Sequence, residues 1–382
     1  MRKCNIDTIN FIKSIYNTND AVCLHEPRFI GNEKKYLMET IDSTFVSSVG
    51  PFVDQFEQKM STLTNTVRSV AVANGTCALQ ISLMLAGVKS GDEVLTQALT
   101  FVATANSIAY LGASPIFIDV DLDTMGLSPK ALDEFLNENA ELRDDGSYNK
   151  KTGKKISACM PMHTFGFMCR IEEIVKICNK WKISVVEDSA EALGSKYRGK
   201  SSGSFGLLGA FSLNGNKIVT SGGGGAITTN NIHLGNEAKH LTTTAKIPHK
   251  WEYTHDKLGY NFRLPNVNSA LACAQLEQLD NMKNSKKKIF NQYKDFFKNS
   301  EINFVNIPQN TDWNYWLMSI MLENKKERDI FLEETNSKGI MTRPIWTLMY
   351  RLPMYKKNQR DSQKNAEYLE KRIVNLPSSA II

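Results

Sequence analysis

Short runs of apolar and β-branched residues alternate with stretches of helical spacing between residues 52 and 240. The apolar runs predict strands at residues 69–73, 93–97, 115–120, 156–162, 183–187 and 226–229. The helical spacing covers residues 77–85, 102–110, 129–136 and 171–181. Strands that lack clean alternation and are separated by helices are typical of parallel sheets covered on both faces. The pattern therefore predicts an α/β fold whose ligands bind beyond the carboxyl ends of the strands.

The pattern changes beyond about residue 266. One long helical stretch covers residues 267–297, and a strand-like run at 315–321, a helix at about 327–334 and an extended segment at 340–344 follow it. We therefore predict a smaller C-terminal α+β domain. Three parts are expected: a helical lead-in at residues 1–50 that packs on the large domain, the large α/β domain at 51–265, and the small domain at 266–382.

The composition is ordinary for a globular protein, with 42% hydrophobic and 23% charged residues. No apolar stretch approaches the roughly 20 residues that a membrane span needs. The first residues lack the apolar run of an export signal. We therefore expect a cytoplasmic protein without a membrane partner.

The 7 cysteines are scattered and form no C-x-x-C pair, which argues against a zinc ribbon, an iron–sulfur cluster and a disulfide framework. We expect reduced thiols and no metal. The net charge of +6 is mild, whereas nucleic-acid binding favours a concentrated basic stripe. The run Lys286-Lys287-Lys288 lies in the long helical stretch, and we interpret it as a solvated helix face.

Asp188 ends the apolar run Val185-Val186-Glu187-Asp188, so it is expected at the carboxyl edge of the sheet. One interpretation is a helix N-cap or turn residue. The other is a carboxylate that keeps a heterocyclic nitrogen protonated, as in enzymes that use pyridoxal 5′-phosphate (PLP). A charge-assisted hydrogen bond of this kind is worth roughly 1.5–3 kcal/mol.

Lys217 ends the segment Phe211-Ser212-Leu213-Asn214-Gly215-Asn216-Lys217 and lies between a predicted strand and a turn with four consecutive glycines at 222–225. A packed, weakly polar setting favours a lysine that acts as an amine nucleophile, and an exposed loop lysine is the alternative. The glycines precede a strand, whereas a dinucleotide fingerprint follows a strand and opens a helix. We therefore reject a dinucleotide site.

Two junctions between a strand and a helix add candidate ligand contacts. The first, Asn74-Gly75-Thr76-Cys77, would present helix N–H groups and a threonine hydroxyl to an anion such as phosphate, and a simple helix cap is the alternative. At the second, within residues 100–104, Phe101 could stack on a flat ring or belong to the core.

These parts follow the order of fold-type I PLP enzymes: phosphate loop, aromatic residue, aspartate, lysine. Over nearly its whole length the chain resembles the DegT-type sugar-nucleotide aminotransferases. The segments that carry this resemblance are Asn74-Gly75-Thr76, Thr100-Phe101-Val102-Ala103-Thr104, Glu187-Asp188-Ser189-Ala190-Glu191, Asn216-Lys217 and Gly259-Tyr260-Asn261-Phe262-Arg263. Residues 25–33, 46–50, 162–166, 241–246 and 342–346 resemble the branch that serves legionaminic acid synthesis.

The resemblance implies a fold-type I PLP enzyme with a mostly parallel central sheet. Lys217 would form the Schiff base with PLP and move the proton, and Asp188 would pair with the ring nitrogen. The implied contacts with the ring and phosphate come from Phe101, Gly75, Thr76, Cys77 and Ser212.

Further roles follow from the same resemblance. Glu191 stands where many relatives have Gln or His near the phenolic oxygen, so an acid there has to be protonated or partnered. His163 is either near the cofactor or a satisfied core histidine. Asn261 would reach the neighbouring subunit's cofactor, which implies a homodimer with shared active sites. Tyr315, Trp316 and Arg343 are candidate substrate contacts.

The implied reaction is a transamination. L-glutamate would supply the amino group, and the acceptor would be a UDP- or GDP-linked 2-acetamido-2,6-dideoxy-4-hexulose. One alternative is a PLP-dependent sugar dehydratase of the same fold, which Lys217 disfavours because those relatives replace the lysine. A non-catalytic sensor that binds PLP or a sugar nucleotide is the other.

Overall fold

The computed structural model of the protein describes residues 2–382. Its helices are α1 (Lys3–Ile15), α2 (Glu33–Asp42), α3 (Pro51–Thr64), α4 (Gly75–Leu85), α5 (Val102–Ala109), α6 (Pro129–Asn139), α7 (Ile171–Lys180), α8 (Ile232–Thr242), α9 (Asn266–Glu277), α10 (Leu279–Phe297), α11 (Lys325–Ser337) and α12 (Lys364–Glu370). Its strands are β1 (Arg68–Val72), β2 (Glu93–Gln97), β3 (Ser114–Ile118), β4 (Ala140–Arg143), β5 (Gly146–Asn149), β6 (Lys155–Met160), β7 (Ser184–Asp188), β8 (Lys196–Tyr197), β9 (Lys200–Ser201), β10 (Leu208–Ser212), β11 (Gly225–Thr229), β12 (Asn303–Phe304), β13 (Thr311–Asp312), β14 (Met318–Met321), β15 (Arg343–Pro344) and β16 (Ile373–Leu376).

The central sheet has the strand order β1-β11-β10-β7-β6-β2-β3, and the hairpin β4–β5 extends from β6. The pairs from β10 to β3 are parallel, whereas β11 is antiparallel to both β10 and β1. Leu79 of α4 and Leu241 of α8 belong to one buried cluster, and Phe135 of α6 and Ile174 of α7 to another. Helices thus cover both faces, and the predicted α/β fold with a mostly parallel sheet is confirmed.

The six strands and four helices predicted between residues 52 and 240 are all present, with ends that differ by at most three residues. The hairpin β4–β5 and the strand pair β8–β9 were not predicted.

Two predictions for the C-terminal part need correction. The long helical stretch is two helices, because Gln278 leaves the helical backbone (φ −100°, ψ 0°) between α9 and α10. The strand expected at 315–321 begins only at Met318, since Tyr315 has a left-handed backbone (φ 58°) that turns the chain.

The basic run at residues 286–288 was also interpreted wrongly in part. Lys287 and Lys288 are exposed, but Lys286 is fully buried and donates a hydrogen bond to the carbonyl of Ser378. Burial lowers the pKa of Lys286 well below its usual value. One lysine of the run therefore holds the C-terminal segment against α10.

The N-terminal helix α1 packs on the C-terminal part of the chain. Phe11 stacks on Phe296 of α10 with ring centroids 4.0 Å apart, and Asn5 Nδ2 donates to Glu334 Oε2 of α11 at 2.7 Å. We had expected the lead-in on the large domain, and for α1 these contacts contradict that. The division of the chain at residues 50 and 265 stays a prediction.

The C-terminal part has its own antiparallel sheet, in the order β12-β14-β16-β15. Its chain also returns to the central sheet: the Phe117 N–H donates to Gln359 O at 2.9 Å, and the Asp361 N–H to Phe117 O at 3.1 Å. These bonds cover the open edge of β3. Within residues 2–382 no helix is both long and apolar enough to cross a membrane.

Candidate active site

A cavity of about 600 Å³ lies beyond the carboxyl ends of the central strands, where the C-terminal part covers them. Asp188 and Ser212, the last residues of β7 and β10, lie on its sheet side. Trp316 and Arg343 close it from the C-terminal part. The predicted residues that line this cavity are Gly75, Thr76, Phe101, Asp188, Glu191, Ser212, Lys217, Trp316 and Arg343.

Asp188 is a buried carboxylate with two fixed hydrogen bonds. The Thr104 hydroxyl donates to its Oδ2 at 2.7 Å, and the Ala190 N–H donates to its Oδ1 at 3.2 Å. Burial raises the pKa of Asp188, while these two bonds and the nearby charge of Lys217 oppose the rise. A cationic ring nitrogen placed in the cavity would stabilise the ionised form further.

Thr104 was not singled out by the sequence, although it belongs to the motif at residues 100–104. Its hydroxyl is also 2.6 Å from that of Thr100. A hydroxyl has one proton, so Thr104 donates to Asp188 and accepts from Thr100. The motif therefore carries a relay of two threonines to the carboxylate, in addition to Phe101.

Lys217 extends into the cavity from the loop that follows β10. Its Nζ lies 3.3 Å from Glu191 Oε1 and 4.2 Å from the centroid of the Trp316 ring. The other carboxylate oxygen of Glu191 accepts the Phe165 N–H at 2.8 Å. Burial raises the pKa of Glu191 to about 7, against the opposing charge of Lys217 and the bond from Phe165.

The N-terminus of α4 forms the third wall of the cavity. Asn74 caps the helix by accepting the Cys77 N–H at 2.8 Å, and Thr76 faces the cavity. A methyl group added to Gly75 would lie 2.8 Å from Ser212 Cβ, so only glycine lets β10 come this close to the helix. Exposed helix N–H groups and two hydroxyls favour an anion at this point.

Cys77 and His163 lie outside the cavity lining. The Cys77 N–H is already used in the cap of α4. His163 is fully buried: its Nδ1 accepts the Cys169 N–H at 3.2 Å, so its Nε2 donates to Glu187 at 3.1 Å. Of the two interpretations of His163, these contacts favour the satisfied core histidine.

Tyr315 and Asn261 do not line the cavity either. The ring of Tyr315 packs in the core, with centroids 4.9 Å from Trp313 and 5.6 Å from Phe290, so the structure contradicts a direct substrate contact. Asn261 is exposed and accepts the Arg263 Nε–H at 2.9 Å. Its predicted role toward a second subunit stays a prediction.

A further cavity residue that the sequence did not single out is Trp346. It lies three residues after Arg343 and packs against Phe165 with ring centroids 5.0 Å apart. Its position in the segment 342–346, one of those that resemble the legionaminic acid branch, was the available signal in the sequence.

The arrangement fits a ligand with three properties. Asp188 fits a cationic ring nitrogen, Lys217 an electrophilic carbon, and the start of α4 an anionic group. Phe101 can also stack on a flat ring, since it lines the cavity and is 51% exposed. PLP has all of these features.

Comparison with known proteins agrees with this chemistry. The model of the DegT/DnrJ/EryC1/StrS aminotransferase family matches residues 28–381. GDP-perosamine synthase of Escherichia coli O157:H7 is 35% identical over 93% of this chain and 92% of its own length. EpsN of Bacillus subtilis (strain 168) is 34% identical over 94% of this chain and 91% of its own.

Among solved structures, a DegT DnrJ EryC1 StrS aminotransferase from Brucella abortus has the same fold. The TM-score is 0.81 at 25% identity, and the match covers 91% of this chain and 90% of that one.

Proposed function

The chain belongs to the DegT/DnrJ/EryC1/StrS aminotransferase family, and from this we propose that it moves the amino group of L-glutamate to C4 of a nucleotide-linked 4-keto sugar. It is a PLP-dependent sugar aminotransferase. The observation that carries the transamination chemistry is that the Asp188 carboxylate and the Lys217 amine line the same cavity.

Bound PLP supplies an aldehyde carbon that takes up an amino group and a ring that withdraws electrons from it. Asp188, oriented by Thr104, would keep the ring nitrogen protonated, because a buried carboxylate gains from a cationic partner. Thr76 and Ser212, with the N–H groups at the start of α4, would hold the phosphate. Phe101 would pack on the ring.

Lys217 has two tasks in this proposal. With PLP bound, its Nζ would hold the aldehyde carbon between turnovers, and its free amine would move a proton from the carbon of the amino donor. Glu191 lies 3.3 Å from that amine, and burial raises its pKa to about 7, so near neutral pH it can return a proton to Nζ or accept one.

For the acceptor we propose a UDP- or GDP-linked 2-acetamido-2,6-dideoxy-4-hexulose, whose amination would serve legionaminic acid or a related surface glycan. The choice of sugar is supported by the segments that resemble the legionaminic acid branch, such as residues 25–33 and 342–346. The name of the Escherichia coli relative supports a GDP-linked substrate. Besides Lys217, Arg343 is the cation among the described lining residues, and it is suited to the diphosphate or to the carboxylate of glutamate.

The working unit that we propose is a homodimer. The segment between α8 and α9 exposes Trp251 (72%), Tyr253 (81%) and Leu258 (82%) close to Asn261. Large apolar side chains grouped in this way favour an interface. A second copy of the chain is the proposed occupant, because Asn261 contributes nothing to the cavity of its own subunit.

Absorbance spectroscopy and a product assay test the activity. We expect L-glutamate alone to convert the bound cofactor from its lysine-bonded to its amine form, and a 4-keto sugar nucleotide to reverse the change. Assays with UDP- and GDP-linked 4-keto sugars then identify the nucleotide. A cofactor band that does not respond to glutamate would instead support the non-catalytic sensor.

The shared site has its own test. If the subunits share their sites, each site takes Lys217 from one subunit and Asn261 from the other. A mixed dimer of Lys217→Ala and Asn261→Ala then has one site with both residues changed and one site with both residues intact. Random mixing of the two variants should restore about a quarter of wild-type activity. Mixtures that stay as inactive as their components exclude the sharing, while leaving the aminotransferase assignment in place.

A further inference from the structure

The amine of Lys217 contacts two side chains that come from different parts of the chain. Glu191 Oε1, from the loop after β7, is 3.3 Å from Nζ. The Trp316 ring, from the C-terminal part, has its centroid 4.2 Å from Nζ. We call this pair, the Glu191 carboxylate and the Trp316 ring, the lysine seat. An ammonium over an indole face is stabilised by the ring quadrupole, most strongly where water is excluded.

Trp316 is fixed in this position by more than packing. Its Nε1–H donates to the carbonyl of Asn216, the residue before Lys217, at 2.7 Å. Its side chain is 3% exposed. The left-handed backbone of Tyr315 turns the chain immediately before it. A bulky residue in this region is uncommon and has an energetic cost, so the surrounding structure has to enforce it.

Asn314 connects the two walls of the seat. Its Nδ2 donates to the carbonyl of Glu191 at 2.8 Å, and its Oδ1 accepts the main-chain N–H of Trp316 at 3.0 Å. Asn314 is fully buried. One amide side chain thus joins the main chain at Glu191 to the main chain at Trp316.

We propose that Trp316 is a positioning residue: its indole holds the ammonium of Lys217 against Glu191 while the cofactor is in its amine form and the lysine is not bonded to it. The proposal rests on the proposed role of Lys217. It also changes the expected role of Trp316, from a substrate contact to a partner of the catalytic lysine.

The proton balance fits a charged amine in the seat. When the nitrogen of glutamate replaces Nζ at the aldehyde carbon, the carbon–Nζ bond breaks and a carbon–nitrogen bond to glutamate forms. The Schiff-base nitrogen carries one proton before and after the exchange, so the glutamate ammonium loses two protons and Nζ gains the same two in addition to its own. Lys217 therefore leaves as an ammonium, the form that the indole face and the carboxylate bind.

A thermodynamic consequence separates this role from substrate binding. With free glutamate and free 2-oxoglutarate, the equilibrium between the two cofactor forms of the enzyme depends only on the relative stability of those forms. A residue that contacts only bound substrate does not affect this equilibrium, because its contact is absent from both free forms of the enzyme. A residue that stabilises the released lysine favours the amine form of the cofactor.

The experiment equilibrates the holoenzyme with fixed ratios of L-glutamate to 2-oxoglutarate and reads both cofactor forms by absorbance. Trp316→Leu removes the π face, and we expect the equilibrium to move toward the lysine-bonded form by on the order of tenfold. Trp316→Phe keeps an aromatic face, so its shift should be about threefold or less. Trp181→Phe makes the same ring exchange outside the cavity and should not move the equilibrium.

Thermal unfolding of each variant checks the fold, and Trp316→Met replaces Trp316→Leu if the latter does not fold. An unchanged equilibrium in the folded Leu or Met variant, or a shift toward the amine form, would contradict the proposed role of Trp316. A wrong assignment of Lys217 would give a different result. Borohydride would then still reduce the cofactor onto another lysine in Lys217→Ala, and peptide mass spectrometry would locate that lysine.

Discussion

The hydroxyl of Thr104 donates a 2.7 Å hydrogen bond to Asp188 at the base of the cavity, across 84 residues of sequence. Asp188 is 2% exposed, so this bond is one of the few interactions that favour its ionised form. The ability of Asp188 to bind a cationic ring nitrogen therefore depends on Thr104, which is not itself proposed to react.

Replacing Thr104 by Val should weaken cofactor binding. Loss of a hydrogen bond to a charged group costs roughly 1.5–3 kcal/mol, so we expect the Kd for PLP to rise at least about tenfold, with a further rise in the pKa of Asp188. Titration of the cofactor-free protein with PLP, followed by absorbance, measures this. Ser107→Ala is the control, because the Ser107 hydroxyl in the same helix donates only to a main-chain carbonyl. Equal affinities of the two variants would contradict the role of Thr104.

Lys217→Ala should fold but fail to bond the cofactor. We expect no borohydride-reducible adduct and a loss of turnover of several orders of magnitude, since both the covalent bond and the proton transfer are removed. Peptide mass spectrometry after reduction locates the adduct in the wild-type chain. Lys283→Ala is a matched control, because Lys283 is a lysine with a small exposed fraction that lies outside the cavity. Full activity of Lys217→Ala would refute the assignment.

Gly75→Ala should impair binding of the cofactor phosphate. The new methyl group would lie 2.8 Å from Ser212 Cβ, so β10 and the start of α4 have to move apart. We expect PLP affinity to fall by about tenfold or more, in line with the 1–3 kcal/mol that overpacking costs. At Gly215 a methyl group meets no atom within 4 Å, and Gly215→Ala is therefore the control. Similar PLP affinity in both variants would argue against the close approach.

The raised pKa of Glu191 predicts that the stability of the folded protein depends on pH. Its pKa in the folded, cofactor-free protein is about 7, above the usual 4.5, so the folded state binds more protons than the unfolded state between these values. The free energy of unfolding should therefore decrease as pH rises from about 4.5 to 7, by roughly 3 kcal/mol from this group.

Glu191→Gln removes that titration. Urea unfolding of the cofactor-free protein at pH 5 and pH 8 should show a smaller loss of stability in this variant than in the wild-type chain. Glu323→Gln serves as a control at an exposed carboxylate. Equal pH dependence in the Glu191→Gln and wild-type proteins would mean that Glu191 stays ionised over this range.

The fold could be predicted from the sequence because the spacing of apolar residues indicates its strands and helices. The family could be predicted because its motifs are short segments of consecutive residues. The strand at Glu93–Gln97 was predicted to the residue, because a short run with apolar and β-branched residues between two helical stretches is visible in the sequence. The resemblance to the DegT-type family is confirmed by the match over residues 28–381. The legionaminic-acid branch within the family stays a prediction.

Other features depend on tertiary contacts and have no local signal. The apolar spacing continues through Gln278, so a break of one residue between α9 and α10 is invisible in the pattern. A left-handed tyrosine at residue 315 cannot be read from composition, because glycine and asparagine are the usual residues there. The threonine relay and the walls of the lysine seat join residues that are far apart in the sequence.

Asn314 also limits how the two parts of the chain can move. Its amide donates to the main-chain carbonyls of Glu191 and Leu193, so a hinge-like opening at this edge has to break both of these bonds. Substrate entry by wide opening would thus dismantle the surroundings of the catalytic amine. A sugar nucleotide that enters from the side of Arg343 would leave them assembled through every turnover.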